Sequence, residues 1–344
     1  MKIGILTFLH NENYGSSLQA WALQKTLREM GFDCEHIDYR PDRKEKIRNL
    51  LESGNSWKLI AEGLRKKSVR AGQQGARQKS AEIQAFYERE MKLSPVCRTQ
   101  EELREISRRY DTLICGSDQI WNPVWLNGAY FLHFAPAGKK KIAYAASLGV
   151  REPPAERKVR LIRQWTEDFA ALSVREEEGT KLLKQMTGRD AAVMPDPVCL
   201  VSREEWRNLA GKAGPEEPYL LCYFIGENPG YWQTVRRLRE ETGLPVRVMP
   251  VTAESYACEF DRAEGAGPRE FVRLMDGAAL LCTDSFHGLA LATILGKRTE
   301  LIRRYRDDDP ESKNSRVDHF LRSAGTRGIG QMREEGLAWL REQL

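Results

Sequence analysis

The sequence predicts an α/β protein built from two doubly wound, Rossmann-like units facing a cleft. Three observations carry that expectation. Short apolar runs alternate with helix-period segments almost throughout the chain. One of them, residues 219–225, is near-continuously apolar, as a strand covered on both faces should be. Polar, glycine-containing loops follow several of the strand-like runs, where sheets of this kind bind ligands. With 344 residues, 41% hydrophobic and 30% charged, the chain can fill two ordinary cores.

Taken in order, residues 2–9 read as a first strand and 16–30 as a helix stopped by Gly31. Residues 34–39 form a second strand, and Pro41 opens a basic helical insertion over about 43–95. A helix at 101–108 feeds a strand at 111–115, which ends in Gly116-Ser117-Asp118, and 141–147 is a further strand. A second series then begins: helix 155–170, strand 171–175, helix 177–186 and the punctuation Met194-Pro195-Asp196-Pro197. Strands at 219–225, 246–250, 279–283 and 298–302 alternate with helices at 231–242, 268–276 and 286–295. A last helix lies near 317–323. The expected division is therefore 1–154, 155–325 and a helical tail at 326–344.

Composition excludes several classes. No window approaches the roughly 18 consecutive apolar residues of a membrane span. The N-terminal apolar run is too short for a signal peptide. Seven dispersed cysteines without a C-x-x-C pair suit a reducing cytosol, so a cytoplasmic protein is expected. The five histidines are far apart, and no metal site is expected. Residues 43–80 hold eleven Lys or Arg against three Glu, so +8 lies there and −3 elsewhere of the overall +5. That stretch suits a solvated insertion, or a surface for anionic headgroups with Trp57, Leu59 and Ile60 as its apolar face and the protein peripheral at a membrane. Nucleic acid is not expected, because no aromatic-basic interleaving accompanies the charge.

Four segments hold the candidate chemistry. In Thr283-Asp284-Ser285-Phe286-His287-Gly288 a strand runs straight into a helix, so Asp284 or Ser285 caps it and the amides of 286–288 favour an anion. His287, in that first turn, is placed for acid–base work. Arg175 ends a strand and could clamp a carboxylate or phosphate. Asp118, Gln119 and Trp121 could orient and stack on a sugar, and the loop before the first helix, with Asn13, Tyr14, Gly15 and Ser16, offers similar contacts. Arg316 could reach back to the cleft. The run Asp307-Asp308-Asp309 reads as a solvated loop neutralised by its arginines.

Taken together, Asn13-Tyr14-Gly15-Ser16, Gly116-Ser117-Asp118-Gln119-Ile120-Trp121-Asn122 and Ala145-Ala146-Ser147-Leu148-Gly149 resemble the polysaccharide pyruvyl transferase family. So do Ser173-Val174-Arg175-Glu176, Asp196-Pro197-Val198, Asp284-Ser285-Phe286-His287-Gly288 and Asn314-Ser315-Arg316-Val317, all in family order over roughly 1–325. The insertion is the part least like the family. The resemblance implies a GT-B-like fold and transfer of a pyruvyl group from phosphoenolpyruvate to two hydroxyls of one sugar, giving a cyclic ketal. Phosphoenolpyruvate would be a co-substrate, with no other cofactor. His287 and Arg175 would be catalytic. Ser285, Phe286, Gly288 and Arg316 would hold the donor. Asn13, Tyr14, Gly15, Ser16, Asp118, Gln119 and Trp121 would hold a sugar or lipid-linked glycan acceptor. Two other readings fit the same architecture: a glycosyltransferase using a nucleotide sugar, and a non-catalytic glycan-binding protein.

Overall fold

A computed structural model describes residues 1–54, 74–211, 217–305 and 314–344. Two parallel sheets organise it. The first contains β1 (Lys2–Leu6), β2 (Asp33–His36), β3 (Thr112–Cys115), β4 (Lys140–Ala146), β5 (Ala171–Val174) and β6 (Ala192–Val193), in the order β2-β1-β3-β4-β5-β6. The second contains β7 (Leu220–Tyr223), β8 (Val246–Val248), β9 (Asp261–Arg262), β10 (Leu280–Thr283) and β11 (Arg298–Leu301), in the order β11-β10-β7-β8-β9. Each order reverses direction once, between β1 and β3 in the first sheet and between β7 and β10 in the second. Ligands bind beyond the carboxyl ends of strands at such reversals.

The boundary expected at 154/155 does not survive. β5 pairs with β4, and β6 with β5, so the chain to Val193 completes the first sheet rather than opening the second. The seam was invisible in the sequence because the same strand–helix alternation runs through it. β6 and β9 are two residues each, too short to carry a period.

Helices α1 (Tyr14–Glu29), α2 (Arg43–Ser53), α3 (Gln74–Glu90) and α4 (Gln100–Ser107) belong to the first half of the chain. α5 (Glu156–Thr166) and α6 (Glu177–Thr187) follow. The second half carries α7 (Arg203–Ala210), α8 (Gly230–Thr242), α9 (Ala253–Ala257), α10 (Pro268–Gly277), α11 (Phe286–Leu295), α12 (Asn314–Thr326) and α13 (Gly328–Gln343). α11 is buried all round, which explains why it reads as a solid apolar run without an amphipathic stripe.

The two sheets are also joined by a shared core. Tyr14, Leu18, Trp21 and Ala22 of α1, with Ile83, Phe86 and Tyr87 of α3, pack into one cluster with Phe271, Met275, Leu289 and Trp206. α13 returns to the first sheet, where Leu340 joins Ile3, Leu23, Leu27 and Tyr144. The described ends of the basic insertion, α2 and α3, are helical. Trp57, Leu59 and Ile60 and the acidic run at 307–309 lie outside the described residues. Among the described residues, no helix is long and apolar enough to cross a membrane.

Candidate active site

The two sheet reversals meet at one cavity of about 270 Å³. The first sheet contributes the loop after β1, with Phe8, Asn11 and Asn13, and the loop after β3, with Asp118, Gln119 and Trp125. The second contributes Ile225 after β7, residues 284–287 after β10, and 301–305 at the end of β11 and beyond it. Asn314, Arg316, Val317 and Asp318 at the start of α12 close it.

Local sequence explains the strand ends. The Asp284 side chain is sealed from solvent and accepts from the Ile225 and Gly226 amides, the Tyr231 hydroxyl and Arg304 Nε, at 2.7, 2.8, 2.7 and 2.8 Å. It thereby ties the loop after β10 to those after β7 and β11. Ser285 is the N-cap of α11, and its Oγ accepts from the Gly288 amide at 3.2 Å. The neighbouring Phe286 and His287 amides sit in a first turn, which has no carbonyl four residues back to bond.

His287 and Arg175 do converge, and the group they share is Asp196. Arg175 Nη1 donates to Asp196 Oδ2 at 2.6 Å, and His287 Nε2 lies 3.4 Å from the same oxygen. Ser117 Oγ reaches that oxygen at 3.2 Å, and the Val198 amide donates to Oδ1 at 3.1 Å. Burial would raise the Asp196 carboxyl, but His287 and Arg175 more than offset it and hold it far below the usual carboxylate range. Burial likewise opposes ionisation of Asp118, and His287 and Arg175 pull it below normal. Burial lowers the Arg316 guanidinium to about 10, with Arg175 adding repulsion, so it stays charged at neutral pH.

Several of the expected site residues border the cavity. Asn13, Ser16, Asp118, Gln119, Ser285, Phe286, His287 and Arg316 all line the cavity. Ser16 Oγ accepts from Asn11 at 2.9 Å and donates to Asp118 Oδ2 at 2.7 Å. Gln119, with its amide oxygen turned inward, accepts from Arg316 Nη1 and Nη2 at 3.0 and 3.3 Å.

Others do not. Arg175 is absent from the cavity lining: it lies behind Phe286, its guanidinium 4.3 Å from that ring, where Asp196 and its neighbours hold it. It can organise the site but does not reach the opening. Tyr14 is a strut between the domains, stacked on Phe271 and donating from its hydroxyl to the Ala266 carbonyl at 2.8 Å. Gly15 is a packing position, since an added Cβ would fall 2.2 Å from His287 Nδ1. Gly288 is wedged under Thr283, where a Cβ would sit 2.9 Å from Oγ1. Trp121 is fully buried and stacks on Phe131 at 4.9 Å, so it is core rather than a sugar platform. The indole at the cavity is Trp125, 37% exposed and donating to the Gln119 carbonyl at 3.1 Å. Asp196 and Arg304 were missed as site residues. The Asp196-Pro197-Val198 turn was the available signal for the first, whereas the pairing of Arg304 with Asp284 left none in the sequence. Among the described residues, no three His, Cys, Asp or Glu side chains cluster as a metal site.

Two Rossmann-like sheets with a polar, cation-bearing cavity at their paired reversals define a protein of the GT-B fold. Within that class the chain belongs to the polysaccharide pyruvyl transferase family, whose model matches residues 13–301. UDP-GlcNAc 2-epimerase from Neisseria meningitidis, bound to UDP-GlcNAc, superposes with a TM-score of 0.52 at 9% identity, over 100% of this chain and 99% of that one. The enzyme of the same name from Methanocaldococcus jannaschii gives 0.51 at 11% identity, covering 99% of each chain. At such identities the likeness is one of fold. No curated protein matches the sequence.

Proposed function

We propose that the cavity binds phosphoenolpyruvate and transfers its pyruvyl group to two hydroxyls of a sugar in a surface polysaccharide or its precursor, forming a cyclic ketal and phosphate. The observation that supports this most directly is a set of buried polar atoms around one cavity. On the cavity wall Arg316 Nε is sealed from solvent without a hydrogen-bond partner, and Phe286 and His287, whose amides belong to the first turn of α11, line the same cavity. Such donors suit a small ligand with two anionic groups.

In this scheme Arg316 and the first-turn amides of α11 bind the donor's carboxylate and phosphate. His287, protonated, delivers its proton to the methylene carbon, which makes the central carbon electrophilic. The first sugar hydroxyl adds there and returns its proton to the imidazole. The second hydroxyl then displaces phosphate, and its proton leaves with that group. Arg175 keeps Asp196 and Phe286 in place. Asn13, Ser16, Asp118 and Gln119 orient the hydroxyls, and Trp125 stacks on the sugar face.

The test is phosphate release from phosphoenolpyruvate with a panel of sugars, comparing wild type with His287→Ala and Arg316→Ala. Loss of His287 lowers kcat by roughly 10²–10⁴-fold, and loss of Arg316 raises the KM for the donor. A nucleotide sugar that raises the melting temperature where phosphoenolpyruvate does not would sink the proposal and favour a glycosyl transfer on the same scaffold.

A further inference from the structure

We propose that Asp196 is a positioning residue that holds His287 as an Nε2–H donor, leaving Nδ1 as the ring atom that exchanges protons inside the cavity. What Nδ1 protonates rests on the function proposed above; the pairing itself rests only on the arrangement of the chain.

Asp196 cannot turn away from the imidazole. It follows β6 and caps a short turn, where the Val198 amide holds one oxygen at 3.1 Å while Arg175 Nη1 and Ser117 Oγ hold the other at 2.6 and 3.2 Å. That second oxygen faces His287 Nε2 at 3.4 Å, slightly longer than a formed hydrogen bond, as such contacts often are until substrate tightens them. The opposite ring nitrogen, Nδ1, lies against Gly15, and Asn13 and Ser16 on either side of Gly15 in the chain line the cavity together with His287. A carboxylate on one nitrogen selects the tautomer and turns the other toward the ligand.

Charge balance points the same way. Arg175 and Arg316 face three buried carboxylates, Asp118, Glu176 and Asp196. Arg304 is committed to Asp284, and Arg303 to Asp318. Tyr144 and Cys199 also face Asp196, and burial pushes both up, so they remain neutral. The set therefore carries one net negative charge beside the ring, which favours an Nε2–H donor facing Asp196. The carboxylate comes from the turn just after the last strand of the first sheet and the imidazole from the second domain, so the pair exists only when the two domains are docked.

The experiment is a long-range ¹H–¹⁵N spectrum of the histidine rings in the full-length protein, with His287 assigned by its loss in His287→Gln. The neutral ring is expected as the Nε2–H tautomer. In Asp196→Ala that preference is reduced, and in Asp196→Glu it is kept in part. In turnover assays Asp196→Asn loses kcat while the donor KM stays within about threefold. A wild-type ring present as the Nδ1–H tautomer overturns the proposal, and needs no variant to fold. An unchanged tautomer balance in folded Asp196→Ala overturns it as well. Absence of turnover with every acceptor would instead count against the reaction, leaving the ring measurements to decide the pairing.

Discussion

At the scale of single residues, the site depends on what a neighbour leaves room for. Gly15 is glycine because the His287 ring occupies the space its Cβ would need, 2.2 Å from Nδ1. Gly15→Ala is therefore expected to cost about 1–3 kcal/mol by overpacking and to shift the His287 ring resonances, both measurable by denaturant unfolding and NMR. Unchanged resonances would mean that the ring is not seated there. Trp121 and Trp125 show how little residue type says alone. Both follow β3, yet one is sealed in the core and the other reaches the cavity. Nothing local distinguishes two indoles four positions apart until Phe131 closes over the first.

At the scale of elements, ends matter more than middles. α7 was not anticipated as a helix, although Ser202 and Glu205 form a reciprocal capping box at its start. Burial would raise the Glu205 carboxyl, but hydrogen bonds from Lys25 and Ser202 hold it down to about 2. Its unfolded value is about 4.3. The folded value is the lower one, so this contribution is complete above about pH 4.3 and is lost as pH falls toward about 2. Because the group is only partly buried, solvent screening reduces its worth. Ser202→Ala should cost about 1 kcal/mol at pH 7, with a smaller difference in acid, as read from urea unfolding at several pH values. An equal loss at pH 7 and pH 3 would show that the carboxylate takes no part.

At the scale of the whole molecule, the halves are held by crossings far apart in sequence. α1 and α3 pack into the second domain's core, and α13 comes back to cover the first sheet. Arg333 Nε donates to the Leu200 carbonyl at 2.8 Å, and Leu340 is fully buried beside Tyr144, Leu23 and Leu27. Leu340→Ala should therefore destabilise the protein by about 2–5 kcal/mol, detected as a lower denaturation midpoint with an unchanged slope. A loss under about 0.5 kcal/mol, typical of surface positions, would show that this helix is only loosely laid on.

Strand–helix alternation and the apolar run at 219–225 were enough to reveal two doubly wound sheets, because the period of buried side chains is a local property. The loops after β1, β3 and β10, which border the cavity, stood out for the same reason: their polarity interrupts that period. The domain boundary was not legible, since pairing of β5 with β4 depends on contacts between strands rather than on either strand's sequence. Nor was the work assigned to Arg175, Tyr14, Gly15, Gly288 and Trp121, whose side chains face a partner elsewhere in the chain. The sequence alone determined which residue types gather at the strand ends; folding decided which of them reach the cavity and which, like Asp196, act from behind it, because burial and distance exist only once the two domains are packed.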